Sequence, residues 1–113
     1  MSDKTTTLIV FTSPAEGRED DFNDWYDNVH LAEFVALPGV VSGQRFSLAP
    51  HSPKAKTSYA AIYELSADPA EVMAAMDAAI KDGSMHMSDA VDLTSVSMSA
   101  WDPHGDQMRA SGA

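Results

Sequence analysis

The chain has 113 residues, 44% of them hydrophobic, and carries 7 Lys and Arg against 17 Asp and Glu for a formal charge of −10. That length suits one hydrophobic core and that composition lies outside the disordered regime, while a surface of this sign repels phosphate backbones and anionic lipid, which argues against nucleic-acid and membrane partners. No cysteine is present, so disulfides, thiolate nucleophiles and cysteine-held zinc are excluded.

Thr5–Thr12, TTTLIVFT, is a β-branched and aromatic run closed by Ser13-Pro14 and predicts a first strand. From Arg18 to Ala36 the pattern becomes helical, with Phe22, Trp25, Tyr26 and Val29 recurring at steps of three and four behind an acidic opening of Glu19, Asp20 and Asp21. Leu37-Pro38-Gly39 stops that helix. Val40–Leu48 reads as a second strand, in which Gly43 signals a bulge or a close approach by another group. Ala49–Lys56, with two prolines, is a loop, and Ser58–Leu65 a third strand.

Asp68-Pro69 then caps a second helix on which Val72, Met76 and Ile80 repeat, ended by Asp82-Gly83. Leu93–Trp101 predicts a fourth strand, stopped by Asp102-Pro103. Residues 1–104 therefore make the single domain, and the small-residue tail 105–113 is expected to be mobile. Met1–Val10 lacks a signal-peptide core and no later run reaches transmembrane length, so a cytoplasmic location is expected.

The order β-α-β-β-α-β predicts an α+β, ferredoxin-like fold: a four-stranded antiparallel sheet with both helices on one face. Leu8 and Val10 alternate with Ile9 and Phe11, and Ala61 and Tyr63 with Ala60 and Ile62, so neither strand offers a polar side. Strands apolar on both faces want two covers. The helices supply one, and a second copy of the sheet across a two-fold axis, giving a homodimer, would supply the other.

The densest chemical constellation is DWYDNVHLAEF, Asp24–Phe34. On a helix, Phe22, Tyr26, His30 and Phe34 follow one another at four-residue steps, with Glu33 close by. Imidazole is the side chain that takes or gives a proton near neutrality, and an apolar stripe with a phenol and a carboxylate nearby tunes it. The structural alternative for His30 is a boundary histidine bonded to a backbone carbonyl; for Trp25 and Phe22 it is simply core. Glu33, pointing toward a core stripe, needs a partner, and Arg45 on the second strand is the candidate. His86 lies in SMHMS, where the flanking methionines would make adaptable apolar walls. Tyr59 and Tyr63 share a face of the third strand, as core, dimer packing or pocket. Asp27, His30 and Glu33 have a spacing that would suit a metal, but it also arises on ordinary polar helix edges, and no second cluster converges on it, so no metal is expected.

The run GREDDFNDWYDNVHLAEFVALPGVVSGQRFSL, Gly17–Leu48, resembles the opening half of EthD-like proteins of the dimeric α/β-barrel superfamily: Trp-Tyr then His on the first helix, a Leu-Pro-Gly turn, and an arginine-bearing strand. The resemblance implies sheet-on-sheet dimerisation and a pocket in each subunit between sheet and helices. Trp25, Tyr26, His30 and Arg45 are the positions that match, and His86 falls in a loop that lies near the pocket in related cyclases. The expectation is a small cofactor-independent enzyme of lyase, isomerase, dehydratase or cyclase type, acting by general acid–base chemistry on a small hydrophobic, aromatic or polyketide-like molecule. His30, Tyr26 and His86 are its expected catalytic residues, and Trp25, Glu33, Phe34, Arg45 and Tyr63 its substrate-binding ones. A cofactor-independent or haem-linked monooxygenase and a non-catalytic ligand-binding dimer are the alternatives.

Overall fold

In the computed structural model, which describes residues 4–112, strand β1, Thr6–Thr12, lies between β3, Tyr59–Leu65, and β4, Ser97–Trp101, and β2, Val40–Ser47, lines the outer edge of β3. The order β2-β3-β1-β4 is antiparallel throughout, with Leu8 opposite Tyr63 and Ala100, and Val10 opposite Ala61 and Met98. The two strands without a polar side are thus the two central ones. Leu8, Val10 and Thr12 of β1 and Ala61, Tyr63 and Leu65 of β3 are buried beneath the helices. Alternate residues point to the other face, where Phe11 of β1 is 40% exposed and Phe46 of β2, on the far side of Ala60 of β3, is 43% exposed.

The fourth strand is shorter than expected. The Asp92 carboxylate accepts from the Thr94 backbone N–H (3.0 Å) and hydroxyl (2.6 Å), coiling Leu93–Ser95 into a 3₁₀ turn before β4 begins. Gly43 is a close approach and not a bulge: a Cβ there would stand 2.7 Å from Tyr63 Cδ1 and 2.9 Å from Val35 Cγ2. The irregularity in the β2–β3 pairing falls instead between Val40 and Ser42.

The predicted helix Arg18–Ala36 is one helical run in three pieces: α1, Glu19–Trp25; a π turn, Tyr26–His30; and α2, Leu31–Val35. The Leu31 N–H reaches back five residues to the Tyr26 carbonyl. This explains a regularity that a plain α-helix would not give. At 3.6 residues per turn, each four-residue step rotates a side chain by about 40° away from a fixed face. Yet Phe22, Tyr26, His30 and Phe34 are all at least nine-tenths buried. The wider π turn takes up the drift and returns His30 and Phe34 to the sheet.

The second helix, α3, Pro69–Asp82, has no such correction. Its cap is as expected, with the Asp68 carboxylate accepting from the Ala70 N–H at 2.8 Å and Gly83 in the left-handed conformation at φ 85°. Along its four-residue line Val72 is fully buried, Met76 half-buried and Ile80 already 36% exposed. Among the described residues no helix is long and apolar enough to cross a membrane.

Candidate functional site

Between the helical layer and the sheet lies a cavity of about 240 Å³. The first helical run contributes Trp25, Tyr26, His30 and Phe34; the sheet contributes Val10, Thr12, Tyr63 and Met98; α3 contributes Met76; and the chain after α3 closes it with Met87, Val91, Leu93 and Val96. Five of the eight expected site residues therefore meet in one place: Trp25, Tyr26, His30, Phe34 and Tyr63. The π turn is what gathers the first three. Residues five apart on an α-helix point about 140° from each other, whereas a turn closed by a five-residue hydrogen bond sets them one above the other. The Trp25 and His30 rings stack at 4.4 Å with 20° between their planes. Tyr26 meets His30 edge-on at 5.0 Å, and Phe34 lies 6.2 Å beyond.

His30 is 6% exposed, and its Nδ1 is buried with no hydrogen-bond partner. Such a group ordinarily finds a partner in the protein or in a bound molecule. Loss of hydration pulls its pKa down to about 4, against the raising influence of Glu33. At neutral pH it is an uncharged imidazole with one donor and one acceptor nitrogen. Tyr26 and Tyr63 bring their hydroxyls to 3.2 Å deep in the same layer, and burial raises both phenols above the ordinary range, so both keep their protons. A pair of hydroxyls uses one O–H on the other and leaves one to donate elsewhere. Gly43 is part of this arrangement, since the Tyr63 ring occupies the space a side chain there would fill.

Three expected residues stand outside the cavity. Arg45 does not pair with Glu33. It lies 4.4 Å from the Tyr26 ring centroid, 5.0 Å from that of Tyr59 and 5.4 Å from that of Phe22, and bonds Asp27 at 2.7 Å and Asn23 at 3.0 Å. Its place is behind Tyr26, where it packs the helix onto β2 as a cation over aromatic faces. Glu33 binds His86 instead: Oε1 accepts from the His86 backbone N–H at 2.8 Å and Oε2 meets His86 Nδ1 at 2.6 Å. Burial pushes the Glu33 carboxyl up, but the two hydrogen bonds from His86 outweigh it and hold the group below the usual carboxylate range. The His86 ring is 68% exposed and does not line the cavity, which removes the geometric support for it as a second acid or base.

What His86 does is fasten a strap. Trp25 Nε1 donates to the His86 carbonyl at 2.8 Å, so the tryptophan that stacks on His30 also holds the segment that delivers Met87 and Val91. The strap's far end is tied to the end of β1, with Ala15 N–H on the Ala90 carbonyl at 2.6 Å and Asp92 N–H on the Ser13 carbonyl at 3.0 Å. Of the flanking methionines, Met85 enters the core and Met87 the cavity. Thr12, Met76 and Met98 were not foreseen as site residues; the only sequence signal for them is their inward register on β1, α3 and β4. Asp27, His30 and Glu33 do not converge, because the first is drawn to Arg45 and the last to His86, and among the described residues no three His, Asp or Glu side chains gather as a metal would need.

No protein-family model matches the sequence, and no curated protein is significantly similar to it. Among solved structures, an ethyl tert-butyl ether D (EthD) family protein from Bacillus halodurans superposes over 92% of this chain and 99% of its own, with a TM-score of 0.57 and 15% sequence identity. The four-stranded antiparallel sheet with its helical run and α3 on one face is thus a ferredoxin-like fold that this chain shares with that EthD family protein.

Proposed function

We propose that the chain binds a small, mainly apolar ring compound in the cavity between sheet and helices and performs general acid–base chemistry on it, with neutral His30 as the proton acceptor. The observation that supports this most is a buried, uncharged imidazole, His30, lining a mainly apolar cavity beside the paired hydroxyls of Tyr26 and Tyr63. The volume of about 240 Å³ exceeds the roughly 150 Å³ that accommodates benzene and falls short of the roughly 300 Å³ at which drug-sized sites begin, which suits one substituted ring or a small fused pair. In such a site His30 takes a proton from the bound molecule, the free O–H of the Tyr26–Tyr63 pair donates to the oxygen on which charge develops, and His30 returns the proton at a second position. The net result is an isomerisation or, where a leaving group departs, an elimination. No residue of the cavity need change its own charge overall.

A haem, which one alternative oxygenase reading would use, does not fit a cavity below drug-sized volume. Ligand binding without turnover is the second reading, and one observation favours it: a base of pKa about 4 lies well below the range in which general bases work best at neutral pH. One experiment decides between them. An enolisable aryl ketone is incubated with the protein in D₂O near neutrality, and loss of its α-proton signal is followed by NMR. Exchange above the buffer rate that disappears in His30→Gln supports catalysis, whereas binding with no excess exchange leaves a binding protein. We also propose that the apolar outer face around Phe11, Phe46 and Trp101 is covered by a second copy of the chain, and that the protein works in the cytoplasm.

A further inference from the structure

We infer that the ligand of this cavity is uncharged and sets a neutral oxygen function, a hydroxyl or a carbonyl, against His30. The inference rests on the cavity being a binding site, and it narrows what the site accepts. No Lys, Arg, Asp or Glu lines the cavity. The two charged groups that the sequence places beside it are turned elsewhere: the Arg45 NH groups bond Asp27 and Asn23, with its Nε buried and unpartnered outside the cavity lining, and Glu33 is held by His86. A carboxylate or phosphate entering here would lose its hydration and meet no countercharge.

Cations fare no better, although four aromatic rings line the space. A cation needs an open ring face. One face of Trp25 is taken by His30 at 4.4 Å, one face each of Phe34 and Tyr63 by the other at 4.1 Å, and no carboxylate lines the space to replace a cation's hydration. The Tyr26 ring has the Arg45 guanidinium over it at 4.4 Å, so a second cation beside it would be repelled. What remains for a ligand is apolar contact plus hydrogen bonds of neutral type: the His30 nitrogens, the spare phenolic O–H and Thr12. Met76, Met87 and Met98 give the apolar walls tolerance for differing ring substituents, so selection falls on charge and on the oxygen and not on outline.

The test uses the intact protein labelled at the methionine methyl groups and titrated with four probes of one shape near neutral pH: para-cresol, para-xylene, para-methylacetophenone and para-toluate. Cresol and the ketone should shift the Met76, Met87 and Met98 methyl signals, with para-toluate, the charged near-isostere of the ketone, weaker by roughly a hundredfold or more. Replacing hydroxyl by methyl, cresol to xylene, leaves His30 unpaired; the cresol-to-xylene affinity ratio should fall by about tenfold in His30→Phe. Para-toluate binding within about threefold of the ketone overturns the inference while leaving the cavity as a binding site. Failure of all four probes to move the three methyl groups overturns the binding site itself and this inference with it. The comparison of ketone with para-toluate needs only the wild-type chain, so it stands even if His30→Phe does not fold.

Discussion

The His30 imidazole should make the fold sensitive to acid in a defined window. Its pKa in the folded chain is about 4, against an ordinary value of about 6.5 for the unfolded chain. The folded value is depressed, so above about pH 7 both states hold a neutral ring and His30 contributes no pH dependence. As pH falls through about 6.5 the unfolded chain takes up a proton that the folded chain refuses, and folding weakens until about pH 4, where the folded form protonates as well. At roughly 1.4 kcal/mol per pH unit, the loss reaches about 2 kcal/mol near pH 5 and about 3 kcal/mol near pH 4. His30→Gln has no such group. Urea unfolding of both proteins, at one protein concentration because association of copies would enter the free energy, should therefore show the variant gaining about 2 kcal/mol on wild type between about pH 7.5 and about pH 5. The difference subtracts the contributions of His51, His86 and His104, which both proteins share. Parallel curves over that range would show that His30 titrates as an open histidine, and the burial of its ring described above would be refuted.

Glu33→Gln keeps the shape of the strap's anchor but removes its charge, weakening both bonds to His86 (2.8 and 2.6 Å); a stability loss of about 1–3 kcal/mol and faster release of a bound aryl ketone are expected, and unchanged melting with unchanged dissociation would show that the strap is held elsewhere. For assembly, sedimentation at micromolar concentration should give a species of twice 12.1 kDa, and Phe11→Lys, on the outer face where Phe11 is 40% exposed, should shift it to the monomer; a wild-type monomer at that concentration would contradict sheet pairing.

Much of the fold was legible because local signals and tertiary demands agree. Asp68-Pro69 and Asp82-Gly83 bound α3 by cap chemistry that depends on a few residues, and the doubly apolar runs of β1 and β3 mark them as the central strands of the observed order. The shortened β4 shows where agreement fails. LTSVSMSAW has strand composition throughout, yet Asp92, one residue before it, offers its carboxylate to Thr94 and turns the first three residues into a 3₁₀ coil. A side chain outside the run overrode the propensity of the run.

The site was legible in its residues and not in its geometry, and the π turn is the reason. Four-residue spacing correctly gathers Phe22, Tyr26, His30 and Phe34, because the π turn cancels the drift that a uniform α-helix would have added. The same reasoning hides the contact that matters most, Trp25 on His30, since five-residue spacing on an α-helix separates two side chains. Nothing in YDNVH announces the wider turn: it is chosen by the whole layer, which seats Tyr26 and Phe34 against Tyr63 and His30 between the two at once. The pairing of Glu33 was missed for a related reason. Arg45 was the cation that sequence offered, but its guanidinium is held over Tyr26 and Tyr59 by contacts no spacing rule encodes, which leaves Glu33 to a histidine 53 positions away. Trp25 then acquires two duties from one ring, its face on His30 and its Nε1 on the His86 carbonyl. The proposed base and the strap over its cavity are thereby coupled through a single side chain, so a substitution at Trp25 disturbs both together, whereas one at Glu33 loosens the strap and leaves the stacked imidazole in place.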